Sequence, residues 1–216
     1  MRISELSAVS DVPVATIKYY LREGLLPAGE RTARNQADYG PVHLTRLRLI
    51  RALIDVGSLR IDDTRALLAA LDDPALSPGN AVRAAHSAVT NRARPSSPGP
   101  QWARARAAVL AVTDQRGWRL ERDTPAIDQA ADAVAAVLEM DVPNLRPLLD
   151  LYAGLAESIA GHELAAALSA GEAQDVVRGI VVGTVIGEAL LNALRLLALQ
   201  SVSKTLLEPV EPDAAG

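Results

Sequence analysis

Apolar residues recur along this chain at intervals of three and four, segment after segment, and the runs are closed by glycine or proline. That period places side chains on one face of an α-helix, whereas a half-buried strand requires strict alternation. Ile3, Leu6 and Val9 begin the series with Ser4 as a candidate N-cap, and the run stops at Ser10-Asp11-Val12-Pro13. A second helix is predicted from about Val14 to Glu23. Gly24 ends it by supplying a left-handed C-terminal conformation. Leu44, Leu47, Ile50, Leu53 and Ile54 mark a third helix closing at Gly57. Leu67, Leu68 and Leu71 mark a fourth, capped by Asp62 or Asp63. Residues 25–41 hold prolines, glycines and charges without helical period and read as a loop or small hairpin.

The pattern changes near residue 75. Residues 79–94 suit one small-residue helix, and the stretch 95–100, Pro-Ser-Ser-Pro-Gly-Pro, is a linker by composition. Helical patterns follow from about Gln101 to Arg116, Thr124 to Met140, Asn144 to Ser169 and Glu172 to Leu207. The expected organisation is therefore a domain over 1–75, a connecting helix and linker over 76–100, and an all-helical domain over 101–216. Aromatic residues make up only 3% of the chain, with no Phe, and runs of β-branched residues are scarce, so the fold class is mainly α. There is no cysteine, which excludes disulfides, thiolate metal sites and cysteine nucleophiles. No metal site or cofactor is expected. The first residues carry no apolar secretion segment, and the bilayer-length stretch from Gly179 to Leu199 contains Glu188, Asn192 and Arg195. A cytoplasmic protein that does not enter the membrane is the expectation.

Charge is unevenly distributed. Residues 1–60 carry nine Arg and Lys against six Asp and Glu, although the whole chain has a net charge of −4. Nucleic-acid binders need cations facing phosphates, so the N-terminal part is where to look. Within it, the segment Val12–Leu26 contains the amphipathic helix predicted from about Val14 to Glu23. Val14, Ile17, Tyr20 and Leu21 fall on one side, and Ala15, Lys18, Tyr19 and Arg22 on the other. After a short helix and a tight turn, such a helix has the form of one that enters the major groove. Taken by itself, such a helix is more often an ordinary one with a solvated charged face.

Several spaced stretches carry a resemblance that separates these readings. They are Ile3-Ser-Glu-Leu6, the run from Val12 to Tyr20, Gly24-Leu-Leu26, and His43 to Ile50 followed by Gly57. Together they resemble the DNA-binding domain of MerR-type regulators over the first third of the chain. The resemblance implies a winged helix-turn-helix, with a first wing from about Leu26 to Tyr39 and a second helix pair from Pro41 to about Leu71. It also implies a dimer on a pseudo-palindromic operator. Carried over by position, Thr16, Lys18, Tyr19 and Arg22 face double-stranded DNA, and Tyr20 is counted with them. Arg31, Arg34 and Tyr39 do so from the wing, and His43 and Arg46 from the start of the second helix pair. Lys18 stands where arginine is usual, which exchanges bidentate base recognition for a point charge suited to phosphate. Asp11 stands where glycine is common, and Asp tolerates positive φ. The wing stretch Gln36-Ala-Asp-Tyr39 lacks the arginine usual in the family.

Family members commonly dimerise through a long helix directly after the DNA-binding domain, and residues 79–94 are too short for that. Gly179, Gly183 and Gly187 share a face of the last helix, where each glycine costs about 1 kcal/mol of helix propensity. A dimer seam offsets that cost, and so does close packing within one subunit. The second domain is similar in size and helix count to the ligand-binding domains of TetR-type regulators. That similarity, at the level of fold and without a diagnostic motif, implies a helical bundle for effector binding and dimerisation. Trp118, Met140, Tyr152, Glu157, His162 and Glu188 are the candidate pocket residues. Core packing is the competing role for Met140 and Tyr152, and an interface ion pair for Glu188. No HExxH, nucleophile elbow or phosphate loop is present, so an enzyme is not expected. The sequence thus predicts a dimeric regulator that meets a small organic effector and distorts promoter DNA for RNA polymerase. The alternative is a ligand-independent DNA-binding dimer acting as a repressor or architectural protein.

Overall fold

The computed structural model describes residues 1–33, 36–90, 99–140 and 145–207. Helix α1 (Ile3–Ser10) and α2 (Val14–Arg22) are joined by a turn in which Asp11 takes φ 54°, the left-handed conformation expected of it. Ser4 lies inside the first turn of α1. The capping acceptor is the Glu5 carboxylate, which receives the Arg2 backbone N–H at 2.8 Å. After α2 the chain turns at Gly24, φ +72°, and buries Leu25 and Leu26 completely or nearly so. The strands β1 (Glu30–Ala33) and β2 (Gln36–Asp38) then form an antiparallel hairpin, Glu30 opposite Asp38, with a register shift between Arg31 and Ala33.

Helix α3 (Pro41–Arg51) passes into a π-helical turn over Ala52–Val56, closed where the Gly57 N–H donates to the Ala52 carbonyl at 2.8 Å. Helix α4 (Ile61–Leu71) begins one residue earlier than Asp62. The two candidate caps, Asp62 and Asp63, sit in its first turn, where carboxylates complement the helix dipole. Then follow α5 (Pro78–Thr90), α6 (Trp102–Gln115), α7 (Pro125–Glu139), α8 (Leu145–Leu168) and α9 (Ala173–Leu207). The part of the expected linker at 95–98 lies outside the described residues.

Two cores result. The larger is built from Leu6, Ile17, Leu25, Leu26, Leu47, Ile50 and Leu53, extended by α4. It continues without a break through Ala81, Ala85 and Ala88 of α5 into Val176, Ile180, Val181 and Val185 of α9. The alanines of α5 recur on one face, so α9 approaches it closely. Gly57 permits a second close approach: a Cβ there would strike the Val185 side chain and lie 2.7 Å from the Leu53 carbonyl oxygen. The smaller core joins α6 and α7 through Ala105, Val109, Ile127, Ala131, Val134 and Ala135.

Helix α9 is long and apolar enough to cross a membrane by length and composition alone. Its first half is instead core. Its second half is exposed, with Leu190, Leu194, Leu197, Leu199, Leu206 and Leu207 each more than half accessible. Helix α8 is similarly bare: Leu151, Tyr152, Leu155 and Leu168 are about half exposed.

Candidate nucleic-acid interface

Helix α2 sits against the core by Ile17, fully buried, and Tyr20, 6% exposed. Its opposite side shows Ala15, Lys18 and Arg22 to solvent, spaced three and four apart along one stripe. Tyr19 and Thr16 flank that stripe half-buried. The Arg22 guanidinium lies 5.3 Å from the centre of the Tyr19 ring and 3.7 Å from Glu23. This is a loose arrangement that leaves the side chain 70% accessible. Arg31 is exposed on β1, and Arg34 lies outside the described residues.

The end of α2 is tied down by two guanidinium groups from elsewhere in the fold. Arg46 Nε donates to the Leu25 carbonyl at 2.9 Å, and Arg65 Nε to the Glu23 carbonyl at 2.7 Å. Both carbonyls sit at or just past the negative end of the helix dipole, where cations are favourable. Arg65 also bridges to the Glu23 carboxylate at 2.9 Å, and Asp62 and Glu23 together hold its pKa above the ordinary arginine value. Arg2 steadies the wing, donating to the Thr32 hydroxyl at 3.0 Å and lying 3.7 Å from Asp38. Arg2 and Arg65 were not among the residues singled out from the sequence. Nothing local in the sequence marks them, because their partners are 30 and 42 residues away.

Four of the expected DNA contacts have partners within the fold. Tyr20 is core, and burial, reinforced by Asp55, raises its phenol pKa above the usual value. Tyr39 is 7% exposed, packs edge-on to His43 with ring centres 5.1 Å apart, and its N–H donates to the Met1 carbonyl. His43 caps α3: its Nδ1 accepts the Gly40 N–H at 3.0 Å while Nε2 lies 3.5 Å from the Ala28 carbonyl. Arg46, only 13% exposed, is spent on Leu25 and on a two-point pair with Asp72 at 2.7 and 2.8 Å. These residues shape the surface that Lys18, Arg22 and Arg31 present.

The residues proposed to line a ligand pocket lie on or beside α6 to α9. Trp118 and Glu157 meet directly: the indole N–H donates to the carboxylate at 3.2 Å, and Arg116 completes the group at 3.1 Å. Met140 is 67% exposed and Tyr152 49%, so neither fills a core. His162 lies 2.7 Å by Nδ1 from the Ser158 carbonyl, and Glu188 is on the exposed part of α9. Of the three aligned glycines, Gly179 faces Ala167 and Gly187 faces Glu163, both on α8 of the same chain, while Gly183 opens to free space. At two of its three positions the stripe therefore serves packing inside one subunit.

A helix-turn-helix with a β-hairpin wing and an outward cationic helix defines a winged-helix DNA-binding protein. The model of the MerR HTH family regulatory proteins matches residues 1–71. The whole chain is similar to SCO5550 from Streptomyces coelicolor A3(2), which bears the name of a transcriptional regulator. The two are 33% identical, the match covers 98% of this chain and 100% of that one, and the TM-score is 0.71. No curated protein matches the chain. The chain belongs to the MerR family and is a DNA-binding transcriptional regulator.

Proposed function

We propose that the chain works as a cytoplasmic homodimer that grips two half-sites of a promoter through α2 and the wing. A small organic effector changes how it deforms that DNA for RNA polymerase. In this reading Lys18, Arg22 and Arg31 supply the phosphate contacts, with Thr16 and Tyr19 beside them. Residues 1–75 read DNA, 76–100 connect, and 101–216 dimerise and sense. The observation that supports dimerisation is the apolar surface of α8 and of the second half of α9. Exposed large apolar side chains recurring along both helices fit an interaction surface. A two-fold pairing also matches the symmetry of a palindromic operator.

The test combines sedimentation with footprinting. Wild type is expected to sediment as a dimer and to protect two half-sites about one or more helical turns apart. The double substitution Leu190→Glu with Leu194→Glu is expected to give a folded monomer with a single weak footprint. A wild-type monomer, or a variant that still dimerises, overturns the reading. A ligand-independent repressor is the second reading. It is favoured by the exposure of Met140 and Tyr152, and a metabolite screen by thermal shift separates the two.

A further inference from the structure

A cleft of about 490 Å³ opens between the DNA-binding half and the beginning of α9. Its volume lies within the range of small-molecule sites, and junctions between structural units are where such sites concentrate. One wall is the end of α4, where Asp72 and Asp73 follow Leu71. The facing wall is the first turns of α9, with Gln174 and Arg178. Leu49, Leu76 and Val177 supply an apolar floor. The two walls carry opposite sign: carboxylates lie at a helix C-terminus on one side, and a guanidinium lies near a helix N-terminus on the other.

The charged groups of this cleft are not equally committed. Arg178 touches Asp175 at 3.3 Å with both side chains half exposed, and a pair of that kind contributes little, so the guanidinium is available to a carboxylate. Asp73 accepts the Ala75 N–H through one oxygen, Oδ1. Asp72 is bound at two points by Arg46, and the same guanidinium holds the Leu25 carbonyl just beyond α2. A single side chain therefore runs from the wall of the cleft to the root of the wing.

We infer that this cleft takes a small zwitterion with an apolar body, the class of hydrophobic amino acids and short peptides. Its carboxylate pairs with Arg178, its apolar part covers Leu49, Leu76 and Val177, and its ammonium group pairs with Asp73 and Asp72. Competition for Asp72 weakens the hold on Arg46, and through Arg46 the hold on the Leu25 carbonyl. The position of α2 relative to the wing then depends on occupancy. This inference rests on the proposed reading of α2 as the helix that meets DNA, but the binding half of it stands apart from DNA.

The experiment uses the full chain and the dipeptide leucyl-leucine, with free leucine and phenylalanine beside it and uncharged N-acetyl-leucinamide as the control. Calorimetry is expected to show saturable binding of at least one of the zwitterions and at least tenfold weaker binding of the control. Two variants test the location: Arg178→Gln removes the carboxylate partner, and Thr45→Trp fills the mouth from the exposed side of α3. Each is expected to melt like wild type and to bind at least tenfold more weakly. No saturable binding of any zwitterion, or binding that both variants leave unchanged, overturns the site. Saturating ligand is further expected to change wild-type affinity for a DNA fragment selected from a random pool by fivefold or more. Unchanged affinity overturns the link through Arg46. Absence of any DNA binding instead counts against the regulator reading, and the calorimetry still judges the cleft.

Discussion

Replacing Gly57 by alanine tests the joint between the DNA-binding half and α9. The glycine has an ordinary helical backbone, φ −71°, so alanine fits its conformation and by reducing unfolded-chain freedom would add about 0.4–1 kcal/mol of stability. Space is the obstacle. The added methyl would collide with the Val185 side chain, itself fully buried, and would sit 2.7 Å from the Leu53 carbonyl oxygen. The carbonyl belongs to the π-helical turn and cannot rotate away, so α9 must retreat or the turn must unwind. Overpacking of a tight core costs about 1–3 kcal/mol, which exceeds the conformational gain. Gly57→Ala is therefore expected to destabilise the protein by about 1–2 kcal/mol in urea unfolding. Val185→Ala has its own cost at a buried site, and the double variant is expected to lose less than the sum of the two single variants, because one of the two clashes disappears. A single variant as stable as wild type, or additive losses in the double variant, would refute the close contact of α9 with this turn.

Three further outcomes follow from the geometry. Lys18→Ala should leave melting unchanged while weakening DNA binding and lowering the slope of log K against log salt by about 1, measured by fluorescence anisotropy. Arg46→Ala should behave in the opposite way, costing about 1–3 kcal/mol of stability through the lost Leu25 and Asp72 bonds yet leaving the salt slope unchanged; a reduced slope would return Arg46 to the DNA surface. Thr64 is fully buried, and among the described residues its hydroxyl has no hydrogen-bond partner, so Thr64→Val should raise stability by about 1 kcal/mol in the same urea assay, and a loss would mean the hydroxyl is satisfied.

Period and punctuation carried the helices a long way. The boundaries of α6 to α9 fall within a residue or two of the apolar runs, and Asp11 and Gly24 adopt the positive φ that the resemblance and the turn chemistry demanded. Local pattern says which face of α2 is apolar, and the exposure of Lys18 and Arg22 follows. It does not say what a polar side chain does when a distant group is within reach. Arg46 and His43 are placed near DNA by position, but Asp72 and the backbone around Gly40 engage them. Tyr39 and Tyr20 read as polar contacts, but their rings are worth more inside the core than their hydroxyls are outside it. Gly57 reads as a helix stop, and its real constraint comes from Val185, 128 positions later.

Helix α9, 35 residues long, is a rod of about 52 Å. It is clamped beside the π-helical turn at Val185, and about 33 Å of helix projects beyond that point. A tilt of about 5° at the clamp carries the far tip through roughly 3 Å, close to the 3.4 Å rise of one base pair in duplex DNA. In the proposed dimer, ångström-scale adjustments at the cleft would thus emerge, across a symmetric pair of such rods, as a change in operator phasing. A molecule built this way is a mechanical amplifier whose gain is set by helix length.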